Sequence, residues 1–180
     1  MNLANIVTIL RIVLVPIFVV ILLTAMENKE IIALIIFIVA AISDTIDGYV
    51  ARKYNQVTDL GKFLDPFADK LLVAGALLAL VHLQTVETWV ATVIILREIL
   101  ITGFRFYFLV NDAVFSASWL AKKKTLFQIV SLGILIIYER LPYPDIMLTV
   151  GTVLLYIATF LTVYSGVEYI LKYSKVLKQK

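Results

Sequence analysis

The 180-residue chain is 62% hydrophobic and 16% charged, with a mean hydropathy of +0.98. Water-soluble domains run at about 45–50% apolar and about 25% charged, so the composition is that of an integral membrane protein, and its long apolar spans make an all-α fold the expectation. With no cysteine and a single histidine, disulfides and thiolate or multi-histidine metal centres are excluded; a metal here would be a hard cation held by oxygen.

The length allows one domain, residues 1–180. A bilayer crossing takes about 20 apolar residues, and six such stretches are predicted, at 5–26, 30–51, 63–83, 86–110, 120–139 and 145–172. In the first, Asn5, Thr8 and Arg11 lie at three-residue steps, which puts three polar groups on nearly one helix face. A cleavable signal peptide with Arg11 as its charged flank is the competing reading, but nothing with a secreted composition follows it.

The second stretch ends in "SDTIDGYVARKYNQVTDLGKFLDPFADK", which runs into the third. This link is expected to be long and charged. Asp44 and Asp47 are three apart, and Asp65 and Asp69 are four apart, so two neighbouring helices would each present two carboxylates on one face. An aspartate at the centre of a span costs about 2.5–3.5 kcal/mol, and four together add mutual repulsion. Protonation would neutralise them, but a pair of divalent cations does so better and uses all four. Gly48 and Ala51 each follow an aspartate by four residues, and Gly61 precedes Asp65 by four. Such a row lets a bulky, flat group approach the backbone. Helix packing alone would explain the small residues but not the aspartates. Arg52, Lys53 and Lys62 are basic residues of the same link. His82 closes the third stretch and is read as an ordinary end residue.

In the fourth stretch Arg97 and Arg105 are eight apart, two turns along one helix. Arginine inside a span pairs with an anion or lines a cavity. Glu98 is read as a local partner for a basic neighbour, without a catalytic role. The fifth stretch opens with Lys122, Lys123 and Lys124. Its purely apolar part, Thr125 to Tyr138, is too short to cross alone, so these lysines lie near the membrane zone. Lys123 is read as an anchor, and Thr125 and Gln128 as polar contacts to a site. The final "KYSKVLKQK" is expected to be a basic, frayed tail.

Basic residues set the topology. One side holds Arg52, Lys53, Lys62, Lys122, Lys123, Lys124, Lys172, Lys175, Lys178 and Lys180; the other holds only Lys29 and Arg140. Both termini are therefore expected in the cytoplasm, with the aspartate row opening to the same side. Trp89, Trp119, Tyr138, Tyr143, Tyr169 and Tyr173 fall near span ends, where they read as interfacial anchors. Nucleic-acid binding has no support.

From Asp44 to Asp69 the pattern is D-x2-D-G-x2-A-R-x8-G-x3-D-x3-D. It resembles the signature of the CDP-alcohol phosphotransferase family at all eight of its fixed positions. "NIVTILR", "REILITGFR" and "KTLFQ" resemble the branch of that family whose acceptor is glycerol 3-phosphate. The resemblance implies a multi-pass, six-span enzyme of the cell membrane, usually a homodimer, with a cytoplasm-facing site. It implies two divalent cations, Mg2+ or Mn2+, held by Asp44, Asp47, Asp65 and Asp69, with Asp69 as general base. It also implies a cytidine pocket lined by Gly48, Ala51, Arg52 and Gly61. The implied reaction joins CDP-diacylglycerol, a membrane lipid, to glycerol 3-phosphate.

An acceptor that carries a phosphate needs cations, and Arg97, Arg105, Lys122 and Lys124 are the expected ones. Asn5, Thr8, Arg11, Lys62, Thr125 and Gln128 are the remaining polar candidates. A family member that makes cardiolipin or an inositol lipid would share the core and differ in the acceptor pocket. A cation transporter would spread its acids along a pathway instead of clustering them at one end. An intramembrane prenyltransferase would lack the D-G-x2-A-R portion.

Overall fold

The structure is a computed structural model. It describes the backbone of residues 3–53, 59–110 and 119–177, and the side chains of residues 7–43, 67–68, 70–104 and 123–171. The described elements are all helical: α1 (Leu3–Leu23), α2 (Lys29–Lys53), α3 (Asp59–His82), α4 (Thr88–Val110), α5 (Trp119–Ile137) and α6 (Pro144–Leu177), with a 3-10 turn at Tyr138–Arg140. The six helices follow the six predicted stretches.

Two expectations change. The link between the second and third stretches is short, because α2 continues to Lys53 and α3 starts at Asp59. The tail is helical as far as Leu177. In both places hydropathy ends before the helix does. No proline or glycine lies in the helical part of the tail, and its lysines suit the negative end of a helix dipole.

Tight turns join α1 to α2, α3 to α4 and α5 to α6. Each contains one non-glycine residue in the left-handed region, Asn28, Gln84 and Tyr143, all at φ 59°. At Gln84 the Thr85 amide donates to the Leu80 carbonyl over 2.9 Å, the six-to-one bond that closes a helix C-terminus. Val86, just beyond, is buried against the core.

Helix α1 packs along α2 and α3, α5 along α6, and α4 against α6 and α3. The seam of α1 is Thr8, Arg11, Val15, Phe18 and Leu22, all buried and spaced by three or four residues, the period of one helix face. Phe18 meets Phe37 of α2 with ring centroids 5.8 Å apart. Ala33, Ala40 and Ala76 are fully buried at crossings, where small side chains let helix backbones approach closely.

The exterior is apolar. Leu78, Leu96, Ile99, Leu126 and Phe160 are exposed, Phe160 to 70%. The interior holds Arg11, Lys124, Gln128, Ser131, Thr162 and Ser165. Among the described residues one helix, Pro144–Leu171, is long and apolar enough to cross a membrane, while Val7–Leu23 and Lys70–His82 are apolar but shorter. Arg97 and Glu98, in the middle of α4, break its apolar run.

Candidate active site

Helix α2 carries Asp44, Asp47, Gly48, Ala51 and Arg52 in its last turns. Helix α3 carries Gly61, Lys62, Asp65 and Asp69 in its first turns. The three- and four-residue spacings therefore fall on helices, and these two helices touch each other and α1. The side chains of these nine residues lie outside the described residues, as do those of Asn5, Arg105 and Lys122. No group of three His, Cys, Asp or Glu side chains suited to a metal occurs among the described residues.

Described residues flank the row on two sides. Arg11 is 1% exposed, and its Nε donates to the Ala40 carbonyl over 3.1 Å, one turn before Asp44. Thr8 is buried on the same face. On the other side, Lys70 follows Asp69 directly, and its Nζ lies 3.7 Å from Glu98 Oε2.

Glu98 is the centre of the described site. Its Oε1 accepts from the Lys124 ammonium of α5 and from Arg97 Nη1 over 3.3 Å. Arg97 Nη2 donates to Ser165 Oγ of α6 over 2.8 Å. The Ser165 hydroxyl in turn donates to the Thr162 carbonyl over 3.2 Å. One carboxylate thus gathers a cation from each of α3, α4 and α5, with α6 as the backstop. A Cβ on Gly166 would stand 3.3 Å from both Cγ and Nε of Arg97, so a glycine there gives the arginine its path across α6.

Lys124 is 5% exposed, while Lys123 is exposed, so adjacent lysines face opposite ways as the helical period requires. Lys124, Gln128 and Ser131 form one buried face of α5 against α6. Gln128 Nε2 donates to Thr162 Oγ1 over 3.3 Å, and Ser131 Oγ donates to the Gly151 carbonyl over 2.7 Å. Thr125 is half-buried beside them. Removing one member of such a buried ion pair leaves an uncompensated charge, at about 3–5 kcal/mol.

Arg97, Lys124 and Gln128 are thereby brought into one polar seam, and Thr8 and Arg11 into another beside α2. Sequence reasoning reduced Glu98 to a local partner and passed over Lys70, Ser165 and Gly166. The position of Lys70 beside Asp69 was a signal for one of them. The α6 residues had none, since serine and glycine are ordinary in apolar helices.

The chain matches the family described as CDP-alcohol phosphatidyltransferase over residues 1–164. It is 39% identical to a Bacillus subtilis protein named CDP-diacylglycerol–glycerol-3-phosphate 3-phosphatidyltransferase, over 98% of this chain and 97% of that one. Proteins of the same name from Rickettsia bellii and Haemophilus influenzae are each 37% identical, over 93% and 94% of this chain and 93% and 91% of theirs.

Proposed function

Because the chain belongs to the CDP-alcohol phosphatidyltransferase family, we propose that it transfers a phosphatidyl group from CDP-diacylglycerol to glycerol 3-phosphate. The products are phosphatidylglycerophosphate and CMP, and three relatives named for this transfer support the reading. The structural observation that carries it is the approach of Lys70 to Glu98, which joins the helix of Asp65 and Asp69 to the cations of α4 and α5. A phosphoryl-transfer site and a phosphate-recognition site are then neighbours.

In this reading Arg97, Arg105, Lys122 and Lys124 hold the acceptor phosphate, and Asp69 takes the proton of the acceptor's primary hydroxyl. The hydroxyl oxygen bonds to the phosphatidyl phosphorus. The bond from that phosphorus to the bridging oxygen breaks, and CMP leaves with its electron pair. Gly48, Ala51, Arg52 and Gly61 line the cytidine pocket. Asn5, Thr8, Arg11, Lys62, Thr125 and Gln128 supply further polar contacts at the site.

Asp44, Asp47, Asp65 and Asp69 fit two divalent cations, Mg2+ or Mn2+. They form an all-carboxylate set on two helices that pack together, and the family is divalent-cation dependent. When bound, such cations compensate charge on the pyrophosphate and on the departing CMP.

The apolar exterior, with charged and polar side chains turned inward, supports a multi-pass reading, since contiguous apolar surface of this extent belongs against lipid. We place all six helices across the cell membrane, with both termini cytoplasmic, in one domain over residues 1–180. The second copy in a homodimer is carried over from the family resemblance.

The test is an assay of the purified protein with labelled CDP-diacylglycerol and a panel of acceptors. Glycerol 3-phosphate should give labelled phosphatidylglycerophosphate, chelation should abolish the reaction, and Mg2+ or Mn2+ should restore it. Asp44→Asn and Asp65→Asn should each be folded and nearly inactive. Preferential use of phosphatidylglycerol or an inositol acceptor would reassign the substrate, and full turnover in excess chelator would remove the metals from the reading.

A further inference from the structure

The buried ion cluster holds a residue for which the proposed chemistry has no direct task. Glu98 does not bear the charge that recognises a phosphate, yet Lys70, Arg97 and Lys124 all converge on it. Three cations drawn together in a low-dielectric interior repel one another, and each has a long, rotatable stem. A carboxylate between them offsets the repulsion and fixes the direction of their donors. It does so from α4, the helix that also carries Arg105. It also reaches α3 one residue beyond Asp69.

We propose that Glu98 is the positioning residue of the acceptor site, holding the Lys124 ammonium and the Arg97 guanidinium side by side and tying both, through Lys70, to the helix of Asp69. This rests on the reading that glycerol 3-phosphate is the acceptor. Ser165 and Gly166 complete the arrangement from α6: the serine hydroxyl accepts from Nη2, and the glycine leaves room for the arginine stem. Glu98 thus acts through its neighbours and touches no reacting atom.

A structural ion pair and a positioning residue differ in what they move. If Glu98 only stabilised the bundle, its loss would lower thermal stability and active fraction while leaving both KM values alone. A positioning role predicts a split between the substrates. Glu98→Gln should raise the KM for glycerol 3-phosphate by about tenfold or more, the scale of one misdirected charged hydrogen bond. The KM for CDP-diacylglycerol should stay within about twofold, because its pyrophosphate is held elsewhere. Glu98→Asp keeps the charge and shortens the reach, so it should recover part of the loss.

The coupling is tested with Lys124→Met and the pair Glu98→Gln/Lys124→Met, which removes both charges of the Glu98–Lys124 ion pair and leaves Arg97 its bond to Ser165. If Glu98 acts by holding Lys124, the pair should have about the same acceptor KM as Lys124→Met alone. Should Glu98→Gln prove too unstable to purify, Glu98→Asp and the pair carry the same test. Unchanged acceptor KM in Glu98→Asp, or fully additive costs in the pair, would overturn the proposal. So would equal losses for the two substrates. A wild-type enzyme that ignores glycerol 3-phosphate would bring down the acceptor reading instead, and the wild-type control separates the two failures.

Discussion

Arg97 shows how one side chain can serve architecture and, in the proposed reading, recognition as well. Its guanidinium spans from Glu98 on its own helix to Ser165 on α6, a planar fork that an ammonium cannot reproduce. Arg97→Lys keeps the charge and loses the second prong. Its acceptor KM should rise about tenfold, from about 1.4 kcal/mol per decade and about 1.5–3 kcal/mol for a hydrogen bond to a charged group. Arg105→Ala, which removes both charge and fork, should raise the same KM by about ten- to a hundredfold. Neither should shift the KM for CDP-diacylglycerol much, and Lys123→Ala, on the exposed face, should be near neutral. Steady-state kinetics with each substrate varied in turn decides this. A selective loss of CDP-diacylglycerol affinity in Arg105→Ala would move these cations to the donor pocket.

At the scale of elements, the α5–α6 seam depends on a close approach. A Cβ on Gly151 would stand 2.7 Å from Cδ2 and 2.8 Å from Cγ of Leu135, a side chain that is itself fully buried. The same residue's carbonyl accepts from Ser131, so the helices are pinned where they touch. Gly151→Ala should therefore cost about 1–3 kcal/mol through overpacking. It should shorten the half-life of activity on heating in detergent. Gly103 is the contrast, with nothing within 4 Å of an added Cβ. Gly103→Ala removes a poor helix former and should match or exceed the wild-type half-life. Equal half-lives for Gly151→Ala and wild type would show that α5 and α6 separate more easily than the packing indicates.

For the whole molecule, the three tight turns at Asn28, Gln84 and Tyr143 lie between successive antiparallel helices and so share one end of the bundle. Glu30 and Arg140 clip that end together, with Nε and Oε2 at 3.2 Å. Trp89 stacks on Tyr156 there at 5.9 Å, the placement of an interfacial aromatic pair. The chain has no cysteine, so single thiols can report its orientation. In intact cells a membrane-impermeant thiol reagent should label Glu27→Cys and Pro142→Cys. It should reach Lys178→Cys only after permeabilisation. The opposite pattern would invert the topology and put the aspartate row outside the cell.

The eight signature positions, the apolar composition and the six helical stretches are all local properties, and the sequence alone was enough to read them. Helix formation in an apolar chain follows from hydropathy and from the need to satisfy every backbone donor within the segment. The spacings Asp44–Asp47 and Asp65–Asp69 carry their meaning through the helical period alone. The short link before Asp59 and the helical tail were misread because hydropathy marks where lipid ends, not where hydrogen bonding ends. What only the tertiary structure decided is which polar groups meet. Glu98 and Lys124 are 26 residues apart, and Arg97 and Ser165 are 68 apart. Nothing in the period of one helix says which face of another it will oppose. That choice is made by the packing of small against large residues along the seams, such as Gly166 against Arg97 and Gly151 against Leu135. It turns a glutamate that looked incidental in the sequence into the point where three helices' cations converge.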